Sequence, residues 1–250
     1  FGVNMDQVIH TPITNVEELK FDIMKQLEGI TKDDKVCIVI DSIGNLASKK
    51  EVDDAMDGKS VADMSRAKQM KSLFRMITPH LNLKDIPLVA VNHTYKEIGL
   101  YPKDVVSGGT GAYYSADSIW IIGRQQEKVG TEIKGYHFII NIEKSRHVRE
   151  KSKIPVTVTF EGGISKWSGL MDVAEAGGYL VKPNVGWYEA VNPATGEVLM
   201  PAKMRAKEIH DNNEFWLMMF EKTDFATYIK NSYTMANGPM LDDQTNVKIE

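Results

Sequence analysis

Apolar positions recur along this chain in several textures, and each predicts a different element. Val8-Ile9-His10 predicts a short strand. Val16, Leu19, Ile23, Leu27 and Ile30 keep the helical period behind Thr14 and Asn15, which predicts a helix capped by one of these and running to about Glu28. An unbroken run, Val36-Cys37-Ile38-Val39-Ile40, predicts a buried strand ending at Asp41-Ser42, and Leu88-Val89-Ala90-Val91 predicts a second ending at Asn92-His93. Between them, Ser48 to Ser60 predicts a polar loop. Val61, Met64, Leu73, Phe74 and Ile77 predict a long helix from Ser60 to about Ile77, interrupted by Pro79. Thr94 to Gly109 carries no core pattern and predicts a long, mobile loop closing on Gly108-Gly109-Thr110-Gly111.

Further on, Ile119–Gly123, Tyr136–Ile142 and Ile154–Phe160 predict strands, the last meeting a turn at Gly162-Gly163. Strand, helix and strand followed by a run of strands predicts an α/β core continued by antiparallel strands. From about Ser168 the texture changes to a short helix ending near Ala176, small strands around Asn192–Gly196, and helical stretches to about Tyr233. The predicted organisation is a core over 1–167, a small α+β region over 168–235 and a loose tail over 236–250.

Composition narrows the classes. The 250 residues are 42% hydrophobic with a net charge of −4, enough for a large core and contrary to binding nucleic acid through bulk positive charge. Cys37 is the single cysteine, so no disulfide builds the fold and a reducing compartment fits. No apolar stretch is long enough to cross a bilayer. The chain opens on Phe1 in mid-pattern, which predicts a piece of a longer protein.

Candidate chemistry gathers at strand ends. Asp41 has the position of an acid facing the ligand crevice of a nucleotide-handling sheet, though many buried strands end in Asp at a turn. Asn92-His93 can hydrogen-bond a γ-phosphate or its attacking water, or be a satisfied pair at a strand end. The glycine cluster can offer backbone N–H groups to a phosphate or be a plain turn. Lys68, Lys71 and Arg75 share one helix face, and Lys144, Arg146, His147, Arg149, Lys151 and Lys153 form a basic run; both patterns are also those of solvated surfaces. No Gly-x-x-x-x-Gly-Lys-Ser/Thr loop occurs in these residues. Gly58-Lys59-Ser60 is a half-match with Asp53 where glycine is needed and carboxylates where triphosphate would lie.

Val39-Ile40-Asp41-Ser42-Ile43-Gly44-Asn45-Leu46, Asn92-His93-Thr94-Tyr95, Gly108-Gly109-Thr110-Gly111 and Tyr114-Ser115-Ala116-Asp117 occur in the order found in RecA-family recombinases, and the chain resembles that family. The stretches Asp41–Lys50, Met70–Arg75 and Glu143–Arg146 are similar in particular to its UvsX branch from T-even-like bacteriophages, and the likeness continues through Gly186-Trp187-Tyr188. The resemblance implies a RecA-like P-loop NTPase core with a small α+β C-terminal part. It implies an ATP- and Mg²⁺-dependent recombinase that polymerises on single-stranded DNA as a helical filament and pairs it with duplex DNA. A recombination mediator and a single-strand-binding protein are implied partners, and the host cytoplasm the implied location, with no membrane. Asp41 would be the Mg²⁺-holding acid with Ser42 beside it; His93 would sense the γ-phosphate, with Asn92 beside it at the nucleotide. Lys144 and Arg146 would reach ATP bound by the adjacent protomer. The runs from about Ala47 to Gly58 and from Thr94 to Gly109 would be DNA loops, with Lys68, Lys71, Arg75, Thr94, Tyr95, Lys96, Ser107, Gly108 and Gly109 at DNA and Tyr114 at the subunit interface. The family's phosphate-cradling loop and water-activating glutamate have no match in these residues, so the 250 residues alone are expected not to turn over ATP. The alternative is a non-catalytic RecA-like module that binds DNA or a partner.

Overall fold

A computed structural model describes residues 3–59, 65–99, 102, 104–129 and 131–235. The chain packs as two units, Phe1–Ala116 and Asp117–Glu250.

In the first unit, helix α1 (Val16–Gly29) is capped by Asn15, whose side chain accepts from Glu18 N. Thr14 donates from its backbone N and hydroxyl to the Glu18 carboxylate, which these bonds hold below the usual carboxylate range. Strand β1 (Ile38–Ile40) follows. Helix α2 (Lys49–Met56) then stands where the polar loop is predicted. Ser48 caps it and Lys50 reaches Asp54, but none of its residues is buried, so no apolar period announces it.

Helix α3 (Ser65–Lys84) runs on through Pro79. Proline in a helix interior costs about 3 kcal/mol; here burial of Leu81 and the following Ile86 extends the packing beyond it. Lys84 Nζ holds the end of α1, donating to the carbonyl oxygens of Leu27 and Ile30, the latter at 2.6 Å. The predicted inward positions Val61 and Met64 lie outside the described residues.

Strand β2 (Leu88–Ala90) pairs parallel with β1, Val39 opposite Val89, and the ladder continues through Val91 N to Ile40 O and Ile43 N to Val91 O. One face packs on the helices: Ile38, Ile40, Leu88 and Ala90 join the cluster built on Val16, Leu19, Ile23, Met70, Leu73, Phe74 and Ile77. The other face is open, with Val39 65% exposed, so burial of these strands is one-sided. Cys37 is exposed rather than interior. Val8-Ile9-His10 is not a strand: it is exposed and forms no β-pairing among the described residues. Strands β3 (Thr94–Lys96) and β4 (Asp104–Val106) form an antiparallel hairpin where a mobile loop is predicted, and helix α4 (Thr110–Ser115) closes the unit.

The second unit opens with an antiparallel meander, β5 (Ser118–Val129), β6 (Glu132–Ser145), β7 (Lys153–Thr159) and β8 (Gly163–Ile164), in that order. The α/β class holds; among the described residues the parallel and antiparallel ladders are separate sheets rather than one mixed sheet. After it come α5 (Leu170–Ala176), the hairpin β9 (Leu180–Asn184) and β10 (Trp187–Ala190), and helices α6 (Ala206–His210), α7 (Asn213–Lys222) and α8 (Phe225–Tyr233). They enclose an aromatic core of Tyr179, Phe215, Trp216 and Phe225. Burial, then the hydrogen bond its hydroxyl donates to Asp224 Oδ1 at 2.6 Å, pushes the Tyr179 phenol up to about 12. The predicted loose tail after Ala236 lies outside the described residues. No described helix is long and apolar enough to cross a membrane.

Candidate functional site

The first unit gathers its polar strand ends at one place. Asp41 follows β1 with an exposed side chain, and the hydroxyl of neighbouring Ser42 is buried with no hydrogen-bond partner among the described residues. The chain then turns through Ile43–Asn45 beneath the end of β2. Gly44 leaves the room for this contact: a Cβ would lie 2.3 Å from His93 Cδ2, so the imidazole would have to move. The His93 ring thus rests on bare backbone, with Nε2 at 3.1 Å from Asn45 Oδ1. Oxygen donors of the kind Asp41 and Ser42 offer suit Mg²⁺, which keeps several waters and takes one or two protein carboxylates. No described group of three or more His, Cys, Asp or Glu forms a metal cage.

Asn92 and His93 clasp the hairpin that follows. Asn92 Nδ2 donates to Ser107 O at 2.8 Å, its Oδ1 accepts from His93 N at 2.9 Å, and Ser107 N donates to His93 O at 2.9 Å. Both ends of the β3–β4 segment are therefore tied to the same strand end. Thr94, Tyr95 and Lys96 are exposed along β3, and Lys96 pairs with Asp104 at 2.8 Å. The order of this segment comes from cross-strand pairing, which a search for core periodicity does not see.

Gly108 and Gly109 both take positive φ, +90° and +77°, and lead into α4. Gly111 seats that helix on α3, since a Cβ there would stand 2.7 Å from Lys71 Cα. The glycine cluster thus lies beside the exposed row Lys68, Lys71 and Arg75, opposite the buried stripe of α3. Replacing Gly111 by alanine is expected to lower the stability of this unit by about 1–3 kcal/mol, the usual cost of overpacking. Chemical denaturation measures it, and an unchanged midpoint would mean that the helices part without strain.

In the second unit, Lys144 and Ser145 end β6, opposite Ile119 and Ser118. Ser145 is 8% exposed and organises the turn beyond: its Oγ accepts from His147 N at 3.1 Å and Val148 N at 3.0 Å, while Ser145 N donates to Glu150. Arg146 is held by Asp117, Nε to Oδ1 at 3.2 Å and backbone N to O at 3.0 Å. Of the basic run, Lys151 pairs with Glu143 at 2.6 Å. Tyr114 in the first unit is 71% exposed, edge-on to Tyr113.

The structure therefore joins Asp41, Ser42, Asn92, His93, Ser107, Gly108 and Gly109 to the α3 row within one unit, and Lys144 with Arg146 in the other. Sequence reasoning missed Asn45, Ser145, Asp117 and Arg66. Asn45, Asp117 and Ser145 stand inside the stretches that carry the family resemblance, and Arg66 left a signal of its own: a cation four residues before Met70 and seven before Leu73, on the core stripe.

Comparison with known proteins adds the context. Residues 167–229 match the family described as the C-terminal domain of the bacteriophage T4 recombination and repair protein. The chain is 47% identical over 237 residues to the recombination and repair protein of Enterobacteria phage T4, covering 94% of this chain and 60% of that protein. It is 27% identical over 195 residues to a mitochondrial DNA repair protein recA homolog of Dictyostelium discoideum, covering 75% and 41%. It is 24% identical over 214 residues to protein RecA of Limosilactobacillus reuteri, covering 84% and 58%. The chain thus spans at most 60% of the length of these relatives.

Proposed function

From the premise that this chain is a homologue of the phage T4 recombination and repair protein and of RecA, we propose that it serves homologous DNA recombination and repair as part of an ATP-dependent recombinase. It forms filaments on single-stranded DNA and pairs that strand with a homologous duplex in the host cytoplasm; a mediator and a single-strand-binding protein are its partners by family resemblance. ATP lies at the seam between protomers. Asp41 and Ser42 hold Mg²⁺ on one side, where the ion neutralises triphosphate charge, and Lys144 and Arg146 approach from the neighbouring copy. Lys68, Lys71, Arg75, Thr94, Tyr95, Lys96, Ser107, Gly108 and Gly109 grip the DNA backbone, with little sequence preference and marked salt sensitivity. Tyr114 packs at the subunit interface. The 250 residues carry the Asp41 side of the nucleotide site and no phosphate-cradling loop.

The observation that carries the coupling of nucleotide to DNA is the Asn92–His93 clasp, because one strand end both stands beside Asp41 and ties down the hairpin. His93→Ala in the full-length protein is expected to leave ATP affinity within about 3-fold of wild type while removing most of the nucleotide-dependent gain in DNA affinity, a coupling of typically 5- to 150-fold. Fluorescence anisotropy with an oligonucleotide, with and without a non-hydrolysable ATP analogue, measures both quantities. A variant whose DNA affinity still tightens normally with nucleotide would refute the assignment.

A further inference from the structure

Two cations stand on the core stripe of α3, Lys84 at its C-terminal end, bound to the end of α1, and Arg66 at its N-terminal end. Arg66 sits four, seven and eleven residues before the buried Met70, Leu73 and Ile77, whereas Lys68, Lys71 and Arg75 are on the exposed side. A guanidinium turned inward cannot discharge itself by losing a proton, so it must find acceptors. Arg66 finds three backbone carbonyls: Nε donates to Leu46 O at 2.6 Å, and Nη2 to Ile43 O at 2.9 Å and Gly44 O at 3.0 Å. All three belong to the turn immediately after Asp41-Ser42.

The same turn is held from its other side by the strand end. Asn45 Oδ1 meets His93 Nε2 at 3.1 Å, and Gly44 carries the His93 ring. A second tie runs alongside, Ser65 Oγ to Ser48 Oγ at 3.1 Å. A continuous set of hydrogen bonds thus leads from His93, through the turn, to the first turn of α3. The row Lys68, Lys71 and Arg75 lies on that helix.

We propose that Arg66 is a positioning residue that joins the 43–46 turn and α3 into one rigid piece, so that a shift of the turn or of His93 on ATP binding reaches the DNA-facing row. This rests on the nucleotide and DNA assignments of the preceding section. The planar guanidinium fork suits the task because its fixed donors address several carbonyls at once, while a lysine ammonium is a compact point charge on a flexible stem. Hydrogen bonds between Arg66 and the turn carry the coupling, and Arg66 itself need not touch DNA.

The test uses Arg66→Ala and Arg66→Lys in the full-length protein. Affinity for a fluorescent single-stranded oligonucleotide is measured without nucleotide and with a non-hydrolysable ATP analogue, alongside affinity for the analogue itself. Arg66→Ala is expected to lower the ratio of the two DNA affinities about 5-fold or more, leaving nucleotide-free DNA affinity and analogue affinity close to wild type. Arg66→Lys is expected to lose the ratio as well; it also serves as the readout if the alanine variant does not fold. Asn45→Ala, which releases the turn from the His93 side, is expected to reproduce the loss. Equal weakening of both DNA affinities would make Arg66 a direct phosphate contact, and a wild-type ratio in the lysine variant would show that charge alone matters. Either result overturns the proposal. A wild-type protein whose DNA affinity ignores nucleotide would instead sink the underlying functional reading.

Discussion

Lys144→Ala in the full-length protein is expected to lower DNA-stimulated ATP turnover by roughly 10³-fold while leaving ATP affinity within about 3-fold of wild type, because the role proposed for it in trans is to act on charge that develops during phosphoryl transfer. Lys144 stands near the end of the long strand β6, paired in register with Ile119, and the turn beyond it is shaped by the nearly buried Ser145 hydroxyl. Neighbouring Arg146 is occupied by Asp117, but both side chains are about 60% exposed. An exposed ion pair of that kind contributes only about 0–1 kcal/mol, so exchanging the carboxylate for a phosphate of the neighbouring copy costs little. Steady-state turnover at saturating DNA and equilibrium binding of a nucleotide analogue separate the two quantities. Equal losses in both would place Lys144 in ground-state binding and contradict its role in trans.

Trp216→Ala is expected to destabilise the C-terminal aromatic core by about 3–5 kcal/mol, the range for truncating a fully buried large aromatic residue. Trp216 has no exposed surface, lies edge-to-face with Phe215 at 5.1 Å and stacks on Phe225 at 6.1 Å. Its indole N–H donates to Ile209 O at 3.0 Å, a carbonyl that also accepts from Asn212 N at 3.1 Å, so truncation removes a buried hydrogen bond without orphaning the carbonyl. A loss of this size is a large share of the 5–15 kcal/mol that ordinarily stabilises a domain. Denaturant unfolding followed by near-ultraviolet circular dichroism reads it. Trp216→Phe, which keeps much of the apolar area and loses the donor and part of the ring volume, is expected to cost less. An unchanged midpoint for the alanine variant would mean that this cluster does not hold the region together.

Local pattern was sufficient wherever one residue type decides one local bond or one face. The Asn15 cap, the inward stripe of α1 and the three longer strands of the meander were legible because a helix period or strand alternation is written into the residues themselves. Helix α2 was not legible, because a helix that buries nothing leaves no apolar period. Nor was the passage of α3 through Pro79, beyond which Leu81 is still buried.

The candidate site divides in the same way. Asp41, Asn92, His93, the glycine cluster and the pair Lys144 and Arg146 stood out as chemistry-bearing residues at strand ends and turns. Their connections did not. That Asn92 ties both ends of a hairpin, that Gly44 is bare because an imidazole lies on it, and that Gly111 is small because α3 passes 2.7 Å from its missing Cβ are distances between residues far apart in the chain. Sequence by itself determined which residues could do chemistry and which faces could be buried, since hydrogen-bonding capacity, charge and periodicity are properties of the local chain. Only the tertiary structure decided which of these groups satisfy one another, since a guanidinium such as Arg66 takes its partners from whatever backbone the fold brings within 3 Å of it.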